Sequence, residues 1–263
     1  MGNRKGNPMK IAVSGKGGVG KTTFSALLAR NLNAEGVHVL AIDADPDANL
    51  AAAIGIPDAD RITPIAEMKD LIFERTEAQP GTIGGFFKLN PKVDDLPDAL
   101  SARLENIKLM RLGGVKKGGS GCICPESTLL RALVTHIVLA RDEVVIMDME
   151  AGVEHLGRAT AAAVNQFIMV VEPGMRSIET ALKIKGLADD LGVKQVSAIA
   201  NKIRKESDRD FFLNRMDGIS LLGSIPYDED VIEADQSRLS VWKEGRALVT
   251  EVRGIVSKII GEK

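Results

Sequence analysis

The sequence reads Gly15-Lys16-Gly17-Gly18-Val19-Gly20-Lys21-Thr22, with Ser14 separating this stretch from the apolar run Ile11-Ala12-Val13. This stretch fits the phosphate-binding pattern G-x-x-x-x-G-K-[ST] at every fixed position. Glycines permit backbone angles at which successive amides point at phosphate oxygens, and the helix pattern that follows adds the partial positive charge of its N-terminus. A chance glycine-rich turn does not explain both the apolar run before it and the helix pattern after it. The stretch therefore predicts a site for a nucleoside triphosphate.

Two side chains of this loop have expected roles of their own. We expect Lys21 to reach the β- and γ-phosphates and the Thr22 hydroxyl to bind Mg²⁺. The predicted nucleotide contacts of the loop are Gly15, Gly17, Gly18, Val19, Gly20, Lys21, Thr22 and Thr23.

Short apolar runs alternate with segments of helical periodicity along the rest of the chain, which is typical of parallel strands joined by crossover helices. The predicted strands are Lys10–Ser14, His38–Asp43, Ile107–Leu112, Val144–Asp148, Phe167–Val171, Val196–Ala200 and Leu221–Ile225. The predicted helices are Lys21–Ala34, Leu156–Val164, Ile178–Leu191 and Val241–Ile260. We therefore expect an α/β fold with a mostly parallel central sheet flanked by helices.

The pattern favours one domain over residues 10–263, preceded by a flexible lead at residues 1–9. Residues 57–100 are rich in proline and glycine, so we expect an irregular insertion there. The apolar stripe within Val249–Ile260 is typical of a helix packed on the core.

Composition narrows the class of protein. The formal net charge is −2, which argues against nucleic acid as the main partner. No apolar run is long enough to span a bilayer, and the N-terminus lacks the apolar stretch of a signal peptide. Two cysteines do not make a disulfide framework in a chain of 263 residues. We therefore expect a cytoplasmic protein.

Carboxylates end two of the predicted strands. Asp43 and Asp45 close the second strand, and Asp148 ends the apolar strand at 144–148 in the Walker B manner. Doubly wound sheets bind ligands at the carboxyl ends of their strands, so an Asp- and Pro-rich turn is the weaker interpretation here. We expect Asp148 to hold the shell of a bound Mg²⁺.

The loop with Lys16 resembles the deviant Walker A loop of the family that contains nitrogenase iron protein and the ParA and MinD ATPases. The resemblance implies that Lys16 reaches the partner's nucleotide in a nucleotide-sandwich homodimer. It also implies that Asp45 orients the attacking water, that Asp43 supports Mg²⁺ through water, and that Gly152 lies in a second switch. The base contacts that it implies, with ATP preferred over GTP, are Asn201, Lys202, Pro226, Tyr227 and Asp228.

Both cysteines lie in one glycine- and lysine-rich stretch at residues 116–125. Cys122 and Cys124 supply two thiolates, which is half of a tetrahedral four-sulfur shell. A two-fold axis through the loop brings two such pairs together, and soft thiolates suit zinc, nickel or an iron–sulfur cluster. His155 is a further candidate ligand, although a lone histidine is more often a capping or hydrogen-bonding group. His38 and His136 have no ligand partner nearby in sequence.

A narrower resemblance rests on D-x-D-P-D, K-K-G-G-S-x-C-x-C, D-M-x-A-G-x-E-H-L and N-K, which together look like the CooC-type ATPases. The resemblance implies an ATP-hydrolysing metallochaperone that uses ATP/ADP and Mg²⁺ and closes as a homodimer on Ni²⁺ or Zn²⁺. It implies a nickel enzyme as client, namely carbon monoxide dehydrogenase or a relative such as acetyl-CoA synthase. This chain carries Glu150 where the compared relative has Gly.

Two alternatives remain open. A ParA- or MinD-like positioning ATPase shares the P-loop and Lys16 but has no task for the cysteines. An iron–sulfur electron-transfer ATPase also needs four thiolates, but its cysteines are widely separated in sequence, whereas Cys122 and Cys124 are almost adjacent.

Overall fold

The computed structural model describes residues 8–78, 86–113, 124–152 and 158–261. The strands in these ranges are β1 (Lys10–Ser14), β2 (Val39–Ala44), β3 (Ala102–Leu104), β4 (Ile107–Arg111), β5 (Val144–Met149), β6 (Gln166–Val171), β7 (Val196–Ile203) and β8 (Ser220–Pro226). They form one sheet in the order β3-β4-β2-β5-β1-β6-β7-β8. The β3–β4 pair is antiparallel and the other neighbouring pairs are parallel. The mostly parallel sheet predicted from the sequence is therefore confirmed.

Helices cover both faces of this sheet. They are α1 (Lys21–Ala34), α2 (Leu50–Ile54), α3 (Lys69–Thr76), α4 (Leu96–Leu100), α5 (Pro125–Ala140), α6 (Arg158–Ala163), α7 (Met175–Asp190), α8 (Glu206–Leu213), α9 (Glu229–Gln236) and α10 (Ala247–Ile260). The apolar residues of α1, α2 and α10 belong to the core on one face. Those of α5, α6, α7 and α8 belong to the core on the other face.

The central strands are buried on both faces, and for that reason they read as continuous apolar runs in the sequence. The β1 strand is buried along its whole length and lies between β5 and β6. Because the strands around β1 are parallel, their carboxyl ends, and the loops that leave them, meet at one edge of the sheet. That edge carries the P-loop after β1, the Asp-rich turn after β2 and the second switch after β5.

Several predicted boundaries are wrong. The C-terminal helix begins at Ala247 rather than Val241, because Gly245 has φ +80° and Arg246 is extended, so neither continues a helix backwards. Residues 57–100, predicted to be irregular, contain α3 and α4. The antiparallel β3 strand was missed because three residues are too few to show an alternating pattern.

Two more predicted helices can be compared with the structure. The α7 helix begins at Met175, before the predicted Ile178, and ends at Asp190. The start predicted at Leu156 for the helix that ends near Val164 lies outside the described residues, as do residues 1–7, 79–85, 114–123 and 262–263. The apolar side of α10 packs into the core through residues that include Leu248, Val252, Val256 and Ile259. No helix in the described ranges is long and apolar enough to cross a membrane.

An ion network joins β4, α4 and the start of β5. Arg141 donates to Glu143 at 2.5 Å and to Asp98 at 2.7 Å, while Lys108 bonds the same two carboxylates at 3.0 Å and 2.5 Å. Burial raises the pKa of Glu143, but the hydrogen bonds from Arg141 and Lys108 outweigh it and hold the pKa at about 2. Glu143 therefore stabilises the folded chain as a carboxylate.

We predict that Glu143→Gln lowers the free energy of unfolding by about 1.5–3 kcal/mol at pH 7, the usual value of hydrogen bonds to a charged group. The pKa of Glu143 is lower in the folded chain, so its contribution is complete above the ordinary pKa of 4.5 and disappears as pH falls toward about 2. Urea unfolding of both proteins from pH 7 to pH 3 measures this. A deficit that stays constant below pH 4 contradicts the prediction.

Candidate functional site

The loop at residues 15–22 wraps closely against its neighbours, and two of its glycines have a steric reason to be there. A Cβ atom on Gly15 would lie 2.4 Å from the carbonyl oxygen of Val170, which belongs to β6. Gly20 has φ +95°, and a Cβ atom there would lie 2.3 Å from the amide nitrogen of Asn201. The loop therefore needs glycine at both positions to reach its observed path.

Asn201 and Lys202, at the end of β7, contact the backbone of this loop. The Asn201 side-chain amide donates to the Val19 carbonyl at 2.7 Å, and Lys202 Nζ donates to the Gly18 carbonyl at 2.6 Å. Asn201 is buried, and Lys202 takes a left-handed backbone conformation with φ +59°. The resemblance implies a base-binding role for both residues, and that role stays a prediction. Their support of the loop was missed, because no local pattern links positions about 180 residues apart.

Two buried aspartates lie side by side below the loop. Asp43 on β2 is in register with Asp148 on β5. Asp148 accepts hydrogen bonds from Thr22 Oγ1 at 2.6 Å and from Ser25 Oγ at 3.2 Å. Asp43 accepts one from the Leu50 amide at 3.0 Å through Oδ2. The predicted carboxylates and the predicted Mg²⁺ hydroxyl thus come together in the structure.

This pair of carboxylates carries more negative charge than its surroundings neutralise. Burial and then the nearby charge of Asp148 raise the pKa of Asp43 to about 7. Burial also raises the pKa of Asp148 to about 6, although hydrogen bonding from Thr22 and the charge of Lys21 oppose it. A divalent cation favours the ionised form of both groups and so relieves the cost of burying them.

The site has the chemistry of a Mg²⁺ site. Mg²⁺ prefers oxygen ligands, commonly one or two carboxylates with water and substrate phosphates. Asp43 Oδ1 is buried without a hydrogen-bond partner, and Thr22 Oγ1 lies at the mouth of the same carboxylate cluster. We expect Thr22, Asp43 and Asp148 to hold the ion, directly or through water.

Lys21 and Asp45 lie beside each other in the site. The Lys21 ammonium is 3.7 Å from Asp45 Oδ2, and their side chains are only 8% and 17% exposed. The Asp45 Oδ1 atom also accepts from the Asp47 amide at 3.0 Å, which holds the turn after β2 in place. A carboxylate beside the phosphate-binding lysine is suitably placed to orient a water, and this role of Asp45 stays a prediction.

A cavity of about 480 Å³ extends from the loop toward α9. The predicted contact residues that line it are Gly17, Gly18, Gly20, Lys21, Thr22, Thr23, Asn201, Lys202, Pro226, Tyr227 and Asp228. Gly15 and Val19 are buried beside the cavity and do not line it. The volume matches that of a small-molecule site. The residues predicted to bind the phosphates and those predicted to bind the base therefore line one cavity.

The far end of this cavity is held by two arginines that the sequence did not single out. Arg246 donates to Asp228 at 2.6 Å and lies 3.1 Å from Asp230, which ties the loop before α9 to the start of α10. The Arg204 guanidinium lies 3.6 Å from the centre of the Tyr227 ring. Both contacts fix residues predicted to meet the base.

Ser14 connects β1 to the second switch. Its buried hydroxyl donates to the Glu150 carbonyl at 2.7 Å and accepts from the Gly152 amide at 3.1 Å. Glu150 itself is exposed. The Gly152 amide, which the resemblance implies to respond to the γ-phosphate, therefore already has a partner. His155 and Glu154 lie outside the described residues.

The predicted metal loop is only partly described. Cys124 precedes α5 and caps it, with Sγ accepting from the Ser127 amide at 3.5 Å. Cys122 lies outside the described residues, and no group of three or more His, Cys, Asp or Glu side chains among the described ones is arranged to hold a metal. The two-thiolate contribution of each chain stays a prediction.

Lys16 contacts Glu172 within its own chain. The Lys16 ammonium is 3.8 Å from one carboxylate oxygen of Glu172, and Lys202 is 2.9 Å from the other. Glu172 follows β6 directly, and the sequence pattern did not mark it. A glutamate after an apolar strand, two residues before a glycine, is too common to predict a contact of this kind.

Comparison with known proteins identifies the family to which the chain belongs. Residues 10–241 match the CobQ/CobB/MinD/ParA nucleotide binding domain. The chain is 49% identical over 255 residues to the carbon monoxide dehydrogenase accessory protein CooC of Rhodospirillum rubrum, with 96% of each chain covered. It is 46% identical over 230 residues to an uncharacterized ATP-binding protein of Methanocaldococcus jannaschii, covering 86% of this chain and 88% of that protein.

Solved structures agree on the fold. The MinD cell division protein of Aquifex aeolicus superposes with a TM-score of 0.68 at 19% identity, covering 97% of this chain and 98% of that chain. A ParA family ATPase from Chlorobium tepidum TLS superposes with a TM-score of 0.67 at 18% identity, covering 95% and 98%. This likeness confirms the fold that was predicted.

We predict that Gly20→Ala weakens ATP binding by about tenfold or more, because the methyl group displaces Asn201 and removes its bond to Val19. Titration calorimetry with Mg²⁺-ATP measures the loss. Gly36→Ala is the matched control, since Gly36 has a similar φ of +80° but nothing within 4 Å of its Cβ position. Unchanged affinity in Gly20→Ala, or an equal loss in both variants, contradicts the prediction.

Proposed function

The chain belongs to the CobQ/CobB/MinD/ParA nucleotide-binding family, in its CooC-type branch, and from that premise we propose that it is an ATP-hydrolysing metallochaperone. In this proposal two chains close on ATP and on a Ni²⁺ or Zn²⁺ cargo. Hydrolysis then reopens the dimer beside a nickel enzyme such as carbon monoxide dehydrogenase. The expected location is the cytoplasm, where thiols stay reduced.

One observation carries the proposal: the nucleotide cavity, the switch residues and the first residue of the cysteine-capped helix belong to the same edge of the sheet. The β4 strand ends at this edge, and α5 must start there to return the chain to the parallel strand β5. Cys124 caps that start. A dimer that closes across this edge would bring both the nucleotides and the cysteine loops of two chains toward each other.

The expected hydrolysis uses groups already placed in the cavity. Loop amides and Lys21 hold the phosphates, and Asp45 orients a water for attack on the γ-phosphorus while ADP leaves. Bound Mg²⁺ supplies charge neutralisation for the phosphate oxygens. Lys16 of the second chain adds a positive charge to the transition state. Phosphoryl transfer depends mainly on such positioning and charge, because the protein has little covalent chemistry to do.

The cargo site is proposed to form only between two chains. Each chain contributes Cys122 and Cys124, which makes a four-thiolate shell. Binding of a structural metal to such thiolates is worth roughly 10–16 kcal/mol. Moving a two-state equilibrium from 1:99 to 99:1 takes about 5.5 kcal/mol, so metal alone is sufficient to drive dimerisation.

We predict that Lys16→Ala binds ATP normally but loses dimerisation on nucleotide and hydrolyses ATP about 10³-fold more slowly, the lower range for loss of a charge supplied in trans. Phosphate release and sedimentation velocity with a non-hydrolysable ATP analogue measure the two effects. Lys194 is exposed and precedes β7, at the opposite end of the strand from Asn201 and Lys202. The Lys194→Ala variant therefore serves as the control. Full activity in Lys16→Ala contradicts the role of this residue in trans.

We predict one Ni²⁺ or Zn²⁺ per dimer in the unmodified protein and none in the Cys122→Ser, Cys124→Ser double variant. Anaerobic size-exclusion chromatography with metal analysis measures both. ATP affinity is the internal control, since Cys124 does not line the nucleotide cavity described above. Stoichiometric metal in the double variant overturns the metallochaperone, and an unmodified chain that is indifferent to metal and dimerises only on ATP favours a positioning ATPase. Broad visible absorption with iron in the protein favours the electron-transfer alternative.

A further inference from the structure

Glu172 lies where β6 meets the P-loop, and its carboxylate is shared by two lysines. Lys202 is 2.9 Å from Oε2, and Lys16 is 3.8 Å from Oε1. The Glu172 backbone amide donates to Ser177 Oγ at 3.1 Å, which anchors the residue to the first turn of α7. The carboxylate is therefore held in a fixed place beside the loop.

The two lysines differ in how firmly they are held. Lys202 also donates to the Gly18 carbonyl at 2.6 Å, so it belongs to the support of the loop. Lys16 is 39% exposed along its side chain, and Glu172 is the carboxylate that lies within salt-bridge distance of it. Lys16 is thus the mobile member of the pair, while Lys202 continues to neutralise Glu172 when Lys16 leaves.

This arrangement opposes the role proposed for Lys16. A lysine that stabilises phosphates of a second chain must exchange its own carboxylate for those phosphates. The free energy of its contact with Glu172 is then subtracted from the free energy of closing the dimer.

We propose that Glu172 is a positioning residue that retains Lys16 within its own chain, and that it thereby sets how readily two chains join on ATP. This inference rests on the proposed function of Lys16. The contact is long and partly exposed, and pairs of this kind contribute little, so the expected effect is roughly two- to fivefold for each chain. Glu172 does not line the cavity, so its proposed effect is on the threshold of closure.

The test is Glu172→Gln, which keeps the shape of the side chain and removes its charge. We expect the dimer dissociation constant, measured by sedimentation equilibrium with Mg²⁺ and a non-hydrolysable ATP analogue, to fall about fourfold or more, since two chains contribute. At protein concentrations low enough to limit dimerisation, we expect the rate of ATP hydrolysis per chain to rise, while the KM for ATP is unchanged. Glu172→Asp should restore the behaviour of the unmodified protein, and Glu251→Gln on the exposed side of α10 is the charge-matched control.

Two further variants separate positioning from structural support. The Lys16→Ala variant is expected not to dimerise on nucleotide, and adding Glu172→Gln should not restore dimerisation, because the retained group is gone; restored dimerisation overturns the inference. Lys202→Met removes the other partner of Glu172. If Glu172 only supports the loop through Lys202, both Glu172→Gln and Lys202→Met weaken ATP binding and dimerisation, and the inference is overturned.

The outcomes distinguish this inference from the proposed function. An unmodified protein that dimerises on the ATP analogue, together with a Glu172→Gln variant of equal dissociation constant, overturns the inference alone. An unmodified protein and variants that all stay monomeric overturn the role of Lys16 in trans, and this inference with it.

Discussion

The site depends on a pair of buried carboxylates that the parallel register sets side by side. Asp43 and Asp148 are almost fully buried at the ends of adjacent strands, beneath a loop that places Thr22 on one of them. Two such groups are costly to ionise together, as their raised pKa values indicate. A bound divalent cation would offset this negative charge and so lower the cost of burying the two carboxylates. The apolar strands on either side keep the pair in place.

Around this pair, residues of three different strands contact the predicted phosphate-binding loop or the predicted second switch. Ser14 binds the second switch, Asn201 and Lys202 bind loop carbonyls, and Val170 sets the closest approach of the loop to β6. Preorganised amides and cations stabilise charge without reorganising when the ligand arrives, which is how such sites favour phosphoryl transfer. The Gly152 amide and Lys16 each have an intramolecular partner, which the proposed nucleotide contacts of these groups would replace.

The same edge explains why nucleotide and metal are proposed to act together. Each of the two proposed sites is completed only by a second chain, through Lys16 in one case and through the second pair of cysteines in the other. A single closing motion would then complete both, so each ligand would raise the affinity for the other by the same factor. In each chain, the proposed retention of Lys16 by Glu172 slightly opposes this closing motion.

Local sequence was enough to predict the phosphate loop, the strands around it and the carboxylates at their ends. Each of these features depends on residues that are neighbours in sequence. They are the spacing of the glycines, the apolar runs, and an aspartate at the end of a run. The contacts of Glu172, Arg246 and Asn201 were beyond reach, because each joins segments that only the order of strands in the sheet brings together. The start of α10 at Ala247 was likewise set by the left-handed backbone of Gly245 and not by the spacing of Val241 and Leu248, which fits a helical period. Periodicity reports which side of a segment is buried, whereas partners distant in sequence and single backbone angles are decided when the whole chain packs.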